Sequence, residues 1–146
     1  MKTLRLLTGM ALFLFALPAF AVDYPAPKEG EWIAHDFKFH TGETLAELKL
    51  HYTILGTPHK NAAGEIDNGV VLLHGTSGSG KNWLLPTLAD ELYAKGQPLD
   101  ASETFIIIPD SIGVGASSKP SDGLKGKFPH YRYHDIVEAE HRVGEH

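Results

Sequence analysis

The chain has 146 residues, a formal net charge of −5 and no cysteine. The lack of cysteine excludes disulfides and thiolate metal sites, and the negative charge gives no electrostatic reason to expect nucleic acid or an anionic membrane surface as a partner. With 42% hydrophobic and 21% charged residues, the composition is that of an ordinary globular domain, not of a disordered chain.

The N-terminal segment has the pattern of a secretory signal peptide. Lys2 and Arg5 precede an apolar stretch, residues 6–15, and Ala19-Phe20-Ala21 matches the small-x-small cleavage pattern. We therefore expect a signal peptide at residues 1–21 and one domain at residues 22–146, exported to the periplasm or secreted and free of the membrane after cleavage. An uncleaved membrane anchor is the alternative, which the short apolar stretch disfavours.

The first elements of the mature chain are predicted to be a β-hairpin. Residues 22–30 are rich in proline and predict an extended lead-in. Residues 36–40 and 46–54 then alternate between apolar and polar side chains, and Thr41-Gly42 between them is a turn signal. Period-two alternation on both sides of a turn predicts two half-buried antiparallel strands.

The stretch from Gly69 to Trp83, GVVLLHGTSGSGKNW, predicts a buried strand, a glycine-rich loop and the start of a helix. This order places backbone N–H groups at a helix N-terminus, where they can bind an anion. One interpretation is a phosphate-binding P-loop, with residues 105–110 as its Walker B strand and acid. Gly75, Gly80 and Lys81 match that motif, but Asn82 stands where a Ser or Thr must bind Mg²⁺.

Two further interpretations of the same loop involve acyl chemistry. Ser77 fits a nucleophile elbow, G-x-S-x-G, except that Ser79 replaces the last glycine. Alternatively, His74-Gly75-Thr76 fits the oxyanion loop of an α/β-hydrolase, which donates a backbone N–H to a developing oxyanion. A flexible turn without chemistry is also compatible with these residues. The fifteen residues alone leave these interpretations open.

The rest of the chain predicts a helix, a strand, a long loop and a second helix. Residues 84–93 have helical periodicity, with Gly96 as the expected stop, and residues 105–108 form a continuous apolar strand. Residues 110–133 are irregular, and a helix covers residues 134–143. This region also contains three histidines, His130, His134 and His141. Metal binding by them is the less favoured interpretation, because no carboxylate completes a known spacing of metal ligands.

Several segments, in this order, make the chain resemble the N-terminal part of an α/β-hydrolase, most closely the homoserine O-acetyltransferase-like branch. The matching segments begin with F-x₂-GETL at residues 39–45 and Y-x₃-G at residues 52–56. They continue with VLLHGTSG at residues 71–78, PDSIG-x-G-x-SSKP at residues 109–120 and FP-x-Y at residues 128–131, and end with DIV at residues 135–137.

This resemblance implies an α/β fold in which the hairpin leads into a mostly parallel sheet with flanking helices. It implies that His74, Gly75 and Thr76 form the oxyanion loop, with the Thr76 N–H as donor, and that Asp110 is structural. The activity implied is ester hydrolysis or acyl transfer through a Ser acyl-enzyme, on a small acyl ester or acyl donor and without a cofactor. The alternative is an exported fragment that binds but does not catalyse, and a P-loop protein is more distant.

The resemblance also implies that the family's nucleophile, acid and histidine follow residue 146, so we expect a domain truncated before the nucleophile elbow. Ser77 is then only a secondary candidate for the nucleophile. The strand at residues 70–73 would have an open edge, and such an edge readily pairs with another strand. We therefore expect this chain to be unstable alone or to be completed by another chain.

Overall fold

The computed structural model of the chain describes residues 24–146, and the predicted signal peptide lies outside the described residues. Four strands form one sheet: β1 (Lys28–Lys38), β2 (Thr44–Leu55), β3 (Gly69–Val71) and β4 (Phe105–Pro109). Two α-helices accompany it, α1 (Pro86–Leu92) and α2 (Tyr133–Glu145), with short 3₁₀ turns at Gly80–Leu84, Pro120–Asp122 and Lys125–Lys127. The predicted α/β class and element order are confirmed.

The hairpin prediction is confirmed, although β1 begins earlier than the alternation indicates. β1 and β2 pair antiparallel from Lys28 opposite Ile54 to Lys38 opposite Thr44. The turn closes through hydrogen bonds from Phe39 N–H to Glu43 O and from Gly42 N–H to Phe39 O, with Gly42 at φ 86°. Glycine suits this turn because it adopts positive φ without steric cost.

The sheet has the strand order β1-β2-β4-β3, so β3 lies at its edge. β3 pairs parallel to β4, whereas β4 pairs antiparallel to β2 and β2 pairs antiparallel to β1. The sheet of residues 24–146 is therefore mixed, and the expected mostly parallel arrangement is not found there. The prediction that residues 70–73 are buried on both faces is therefore wrong, because Val71 and Leu73 are 43% and 50% exposed and Val70 and Leu72 are only half-buried. No other described element covers the outer side of β3, and this open edge agrees with the sequence-based expectation.

The two helices lie on opposite faces of the sheet, because neighbouring side chains of β4 point in opposite directions. Ile106 and Ile108 pack on the α1 side, and Ile107 packs on the α2 side. α1 ends at Leu92 with Tyr93 as its C-cap, so the predicted stop at Gly96 lies two residues too late. Gly96 belongs to the following turn, where its N–H donates to Asp100. The result is a three-layer unit with strand ends and their loops at one side.

A buried carboxylate joins the hairpin to the start of α2. Asp135 is 2% exposed and accepts hydrogen bonds from the His40 N–H at 2.7 Å, His40 Nδ1 at 2.6 Å and the Arg132 N–H at 2.8 Å. Burial alone would raise the pKa of Asp135, but these hydrogen bonds outweigh burial and lower it. The carboxylate form therefore stabilises the folded chain.

Replacing Asp135 by Asn should make the free energy of unfolding depend less on pH in the acid range. Because the folded pKa is lowered, the stabilisation is complete above the unfolded pKa of about 3.9 and is lost as pH falls through the folded value. At pH 7 we expect Asp135→Asn to reduce the free energy of unfolding by about 1–3 kcal/mol, measured by urea denaturation at several pH values.

Asp67 provides the matched control for this substitution. Its Oδ1 lies 2.6 Å from His59 Nδ1, the same separation as in the His40–Asp135 pair, but both residues of the pair are exposed. Asp67→Asn should therefore cost at most about 1 kcal/mol. Equal losses from the two substitutions would contradict the role assigned to burial.

Candidate functional site

The loop after β4 is organised around the carboxylate of Asp110, which is 2% exposed. Asp110 Oδ1 accepts from the Gly80 N–H at 2.7 Å, and Oδ2 accepts from the Ala116 N–H at 2.8 Å and from His51 Nδ1 at 2.9 Å. Ser117 Oγ closes the loop by donating to the Asp110 carbonyl at 2.6 Å. One carboxylate thus connects β2, the loop after β3 and the loop after β4.

Three donors keep Asp110 ionised in this buried position. Burial would raise the pKa of Asp110, but the hydrogen bonds from the Ala116 N–H, the Gly80 N–H and His51 together lower it. The backbone approaches the carboxylate so closely that a Cβ on Gly115, which has φ 55°, would lie 2.0 Å from Oδ2. These contacts agree with the structural role that the resemblance implies for Asp110.

The loop after β3 contains the predicted oxyanion residues and folds into a tight turn. The Gly78 N–H donates to the Gly75 carbonyl at 2.9 Å, which places Thr76 and Ser77 at the two central positions of a four-residue turn. Gly75, Thr76 and Ser77 are exposed, and His74 is half-buried. The loop therefore presents its backbone to solvent rather than to the core.

The imidazole of His74 fixes the Gly75 carbonyl from a second direction. His74 Nδ1 lies 2.8 Å from the Gly75 carbonyl oxygen, and Nε2 accepts from the Ser111 N–H at 3.1 Å. Both contacts are satisfied when the neutral ring carries its proton on Nδ1. The Gly75–Thr76 peptide is planar and trans, so the Thr76 N–H points away from the carbonyl that His74 holds. Within residues 24–146 this N–H has no acceptor.

A cleft of about 320 Å³ opens beside this loop. Its walls are mostly apolar and come from the loops after β3 and β4 and from α2; they include Leu73, Ile112, Val114, Tyr131, Ile136 and Val137. His74, Gly75 and Thr76 all line the cleft. An apolar cleft with a few polar groups at one end is the usual form of a small-molecule site.

Two functional candidates in this cleft were missed by sequence reasoning. Ser111 and Glu140 line the cleft, are 9% and 8% exposed, and are joined by a hydrogen bond from Ser111 Oγ to Glu140 Oε1. The available signal was the helical pattern of α2. Glu140 lies four residues after Ile136, within the stripe that carries Ala139 and Val143 into the core, and a charged side chain there is unusual.

The geometry disfavours the two competing interpretations of the loop. The Gly80 N–H, which a P-loop would offer to phosphate, already donates to Asp110, and the suggested Walker B acid is itself buried. Ser77 Oγ makes no hydrogen bond within residues 24–146, and its φ is not positive, so neither a base nor the backbone strain of an elbow accompanies it there.

Of the three histidines considered for metal binding, two contact different glutamates. His130 Nδ1 lies 3.6 Å from Glu43 Oε2, and His141 Nδ1 lies 3.5 Å from Glu145 Oε2. In the described part of the chain, no three side chains of the metal-binding types come together as a possible metal site.

Neither helix between residues 24 and 146 is long and apolar enough to cross a bilayer.

Comparison with known proteins gives relatives of one fold, although no family model matches the chain. A protein described as a probable acyltransferase, from Methanothermobacter thermautotrophicus, is 34% identical over 104 residues, which are 70% of this chain and 31% of that protein. An acetylester hydrolase from Corynebacterium glutamicum superposes with a TM-score of 0.64 at 25% identity, covering 80% of this chain and 32% of its own.

A homoserine O-acetyltransferase from Staphylococcus aureus has a TM-score of 0.60 at 19% identity, covering 82% of this chain and 35% of its own. The chain therefore has the fold of the N-terminal portion of an α/β-hydrolase. The resemblance to α/β-hydrolases expected from the sequence motifs is confirmed, and a homoserine O-acetyltransferase is among the structures that share this fold. The chain spans about a third of the length of these relatives.

Proposed function

We propose that this chain supplies the oxyanion loop of an enzyme that hydrolyses an ester or transfers an acyl group. The observation that carries the proposal is the orientation of the Gly75–Thr76 peptide. Its carbonyl is held by His74 and Gly78, and the opposite side, with the Thr76 N–H, is free to meet a ligand oxygen. The relatives described as an acyltransferase and an acetylester hydrolase support this chemistry.

In the proposed reaction, a serine attacks the carbonyl carbon of a small acyl ester and the carbonyl oxygen becomes an oxyanion. The Thr76 N–H donates a hydrogen bond to this oxyanion, and the bond is stronger in the tetrahedral intermediate than in the substrate. A general base takes the serine proton and passes it to the departing oxygen, so that collapse expels the alcohol and leaves an acyl-enzyme, which water or a second alcohol then cleaves. The apolar walls of the cleft suit the acyl group, and no cofactor is required.

We assign the nucleophile, its base and the acid to sequence accompanying residues 1–146 in the intact protein or to a complementing chain. The open edge of β3 supports this assignment. The Leu72 N–H donates to Ile107 O on the β4 side, so the N–H of Val71 faces the open side and can pair with a further strand. Because residues 1–21 have the pattern of a signal peptide, the proposal also includes export of the protein.

Labelling of the intact protein with a fluorophosphonate tests the proposed function. This reagent forms a stable phosphonyl adduct with an activated serine, and peptide mass spectrometry then locates the adduct. We expect turnover of p-nitrophenyl acetate, loss of turnover on labelling, and an adduct on a serine other than Ser77.

An adduct on Ser77, together with loss of turnover in Ser77→Ala, would favour the elbow interpretation instead. Absence of both turnover and labelling in the intact protein would favour the alternative of an exported fragment that binds but does not catalyse. Binding of a nucleotide that strengthens with Mg²⁺ would revive the P-loop interpretation. The three outcomes are thus separated by one preparation.

A further inference from the structure

We propose that Glu140 and Ser111 are positioning residues, which act through the His74 ring to set the direction of the Thr76 N–H. The inference rests on the proposed function, because that direction matters for catalysis only if the N–H meets an oxyanion. It also makes a claim about structure that can be tested without any substrate. Neither residue needs to touch the reacting atoms.

The first link joins α2 to the loop after β4. Glu140 is anchored on α2 between Ala139, which is fully buried, and Val143, which is 6% exposed, so its backbone is fixed by the core. Its side chain accepts a hydrogen bond from the Ser111 hydroxyl, and both residues are almost entirely buried. A hydrogen bond in such buried surroundings is stronger than one at the surface. Ser111 is therefore held firmly against α2.

The second link joins Ser111 to the loop after β3. The Ser111 backbone N–H donates to His74 Nε2, so this ring nitrogen must be the unprotonated one. The proton of the neutral ring is then on Nδ1, which donates to the Gly75 carbonyl. The two nitrogens of one ring thus connect the loop after β4 to the peptide that carries the proposed donor.

The third link is the rigidity of the peptide group itself. The Gly75 carbonyl and the Thr76 N–H belong to one plane and point in opposite directions, so holding the carbonyl also directs the N–H. Because Gly75 is exposed and a Cβ there would meet no atom within 4 Å, sterics alone do not fix this peptide. Hydrogen bonding must supply the restraint, and it comes from His74 and from the turn.

The tautomer of His74 in the intact, ¹⁵N-labelled protein tests this proposal directly. Long-range ¹H–¹⁵N spectra distinguish protonated from unprotonated ring nitrogens. We expect Nδ1 of His74 to be protonated and Nε2 to be unprotonated at neutral pH. In Glu140→Ala the restraint on Ser111 is lost, so we expect a mixture of tautomers and a displaced Thr76 amide signal.

The matched variants separate positioning from general damage to the helix. Glu140→Gln keeps an oxygen that accepts from Ser111 Oγ and should restore the wild-type spectrum. Ser111→Ala removes the same hydrogen bond, so it should give the same mixture of tautomers, and it replaces Glu140→Ala in the test if Glu140→Ala does not fold. Glu138→Ala, which removes an exposed carboxylate paired with Arg142 on the same helix, should change nothing. The double variant of Glu140 and Ser111 should be no worse than either single one.

Ester turnover provides the second readout. If the proposed function holds, Glu140→Ala should lower kcat by roughly 10- to 100-fold with little change in KM, because misplacement of a donor affects the transition state more than substrate binding. A wild-type His74 protonated on Nε2, or a tautomer unaffected by Glu140→Ala and Ser111→Ala alike, would overturn the positioning role. The expected tautomer without any turnover would instead reject the proposed function and leave the positioning of the peptide intact.

Discussion

Replacing Thr76 by Pro should lower kcat for ester turnover by roughly 100- to 1,000-fold in the intact protein, the usual effect of removing one oxyanion donor. Proline has no N–H, so the substitution deletes the proposed donor itself. Thr76 is the second residue of the turn from Gly75 to Gly78, a position where the fixed φ of proline is normally accommodated. The turn should therefore survive the change.

Thr76→Ala is the matched control, since it removes the side chain and keeps the N–H. We expect its kcat to remain within about threefold of the wild-type value, because the hydroxyl has no assigned role and the donor is unchanged. Both variants should unfold at temperatures close to that of the wild type. Equal activity of Thr76→Pro and Thr76→Ala would show that the Thr76 N–H does not stabilise the oxyanion.

The largest loss of stability should follow the replacement of Asp110 by Asn. Asn keeps the shape of the side chain but puts an NH₂ group in place of one carboxylate oxygen, opposite backbone N–H donors. With donors from Gly80, Ala116 and His51 around it, at least one buried donor loses its acceptor. The unpaired donor costs about 1–3 kcal/mol, and the remaining hydrogen bonds weaken when their acceptor loses its charge. We therefore expect a total loss of about 3–5 kcal/mol, measured as the change in free energy of urea unfolding.

Asp122 gives the control in the same loop region. Its carboxylate accepts from the Lys119 N–H at 3.1 Å and lies 3.0 Å from Lys119 Nζ, but the side chain is 47% exposed. Asp122→Asn should therefore cost about 0–1 kcal/mol. If Asp110→Asn cost no more than this control, the network around Asp110 would not be the organiser of the loops.

The elements of the fold could be predicted well from the sequence where the apolar residues follow a single periodicity. Alternation identified the hairpin, and the apolar run at residues 105–108 identified β4, whose residues Phe105, Ile106 and Ile108 are buried as expected. The burial of β3 was predicted less well, because an apolar run does not reveal which strand lies at the edge of a sheet. That property depends on strand order, which here puts β3 beside β4 alone.

The candidate site was predictable as a loop but not as a network. His74, Gly75 and Thr76 were identified from a short motif, and the structure gives them a common place at one cleft. The contacts of Glu140 with Ser111, and of Ser111 with His74, join residues 29 and 37 positions apart in sequence. No local pattern encodes such pairings, although a glutamate in the apolar stripe of α2 marked one partner.

The most direct test of the central claim is the distance from Thr76 N to the oxyanion oxygen in a crystal structure of the phosphonylated intact protein. The phosphonyl oxygen takes the place of the oxyanion in the tetrahedral intermediate. The proposed role of the loop predicts a separation of about 2.7–3.1 Å, with His74 Nδ1 still on the Gly75 carbonyl. A phosphonyl oxygen held by other donors, with the Thr76 N–H directed elsewhere, would contradict it.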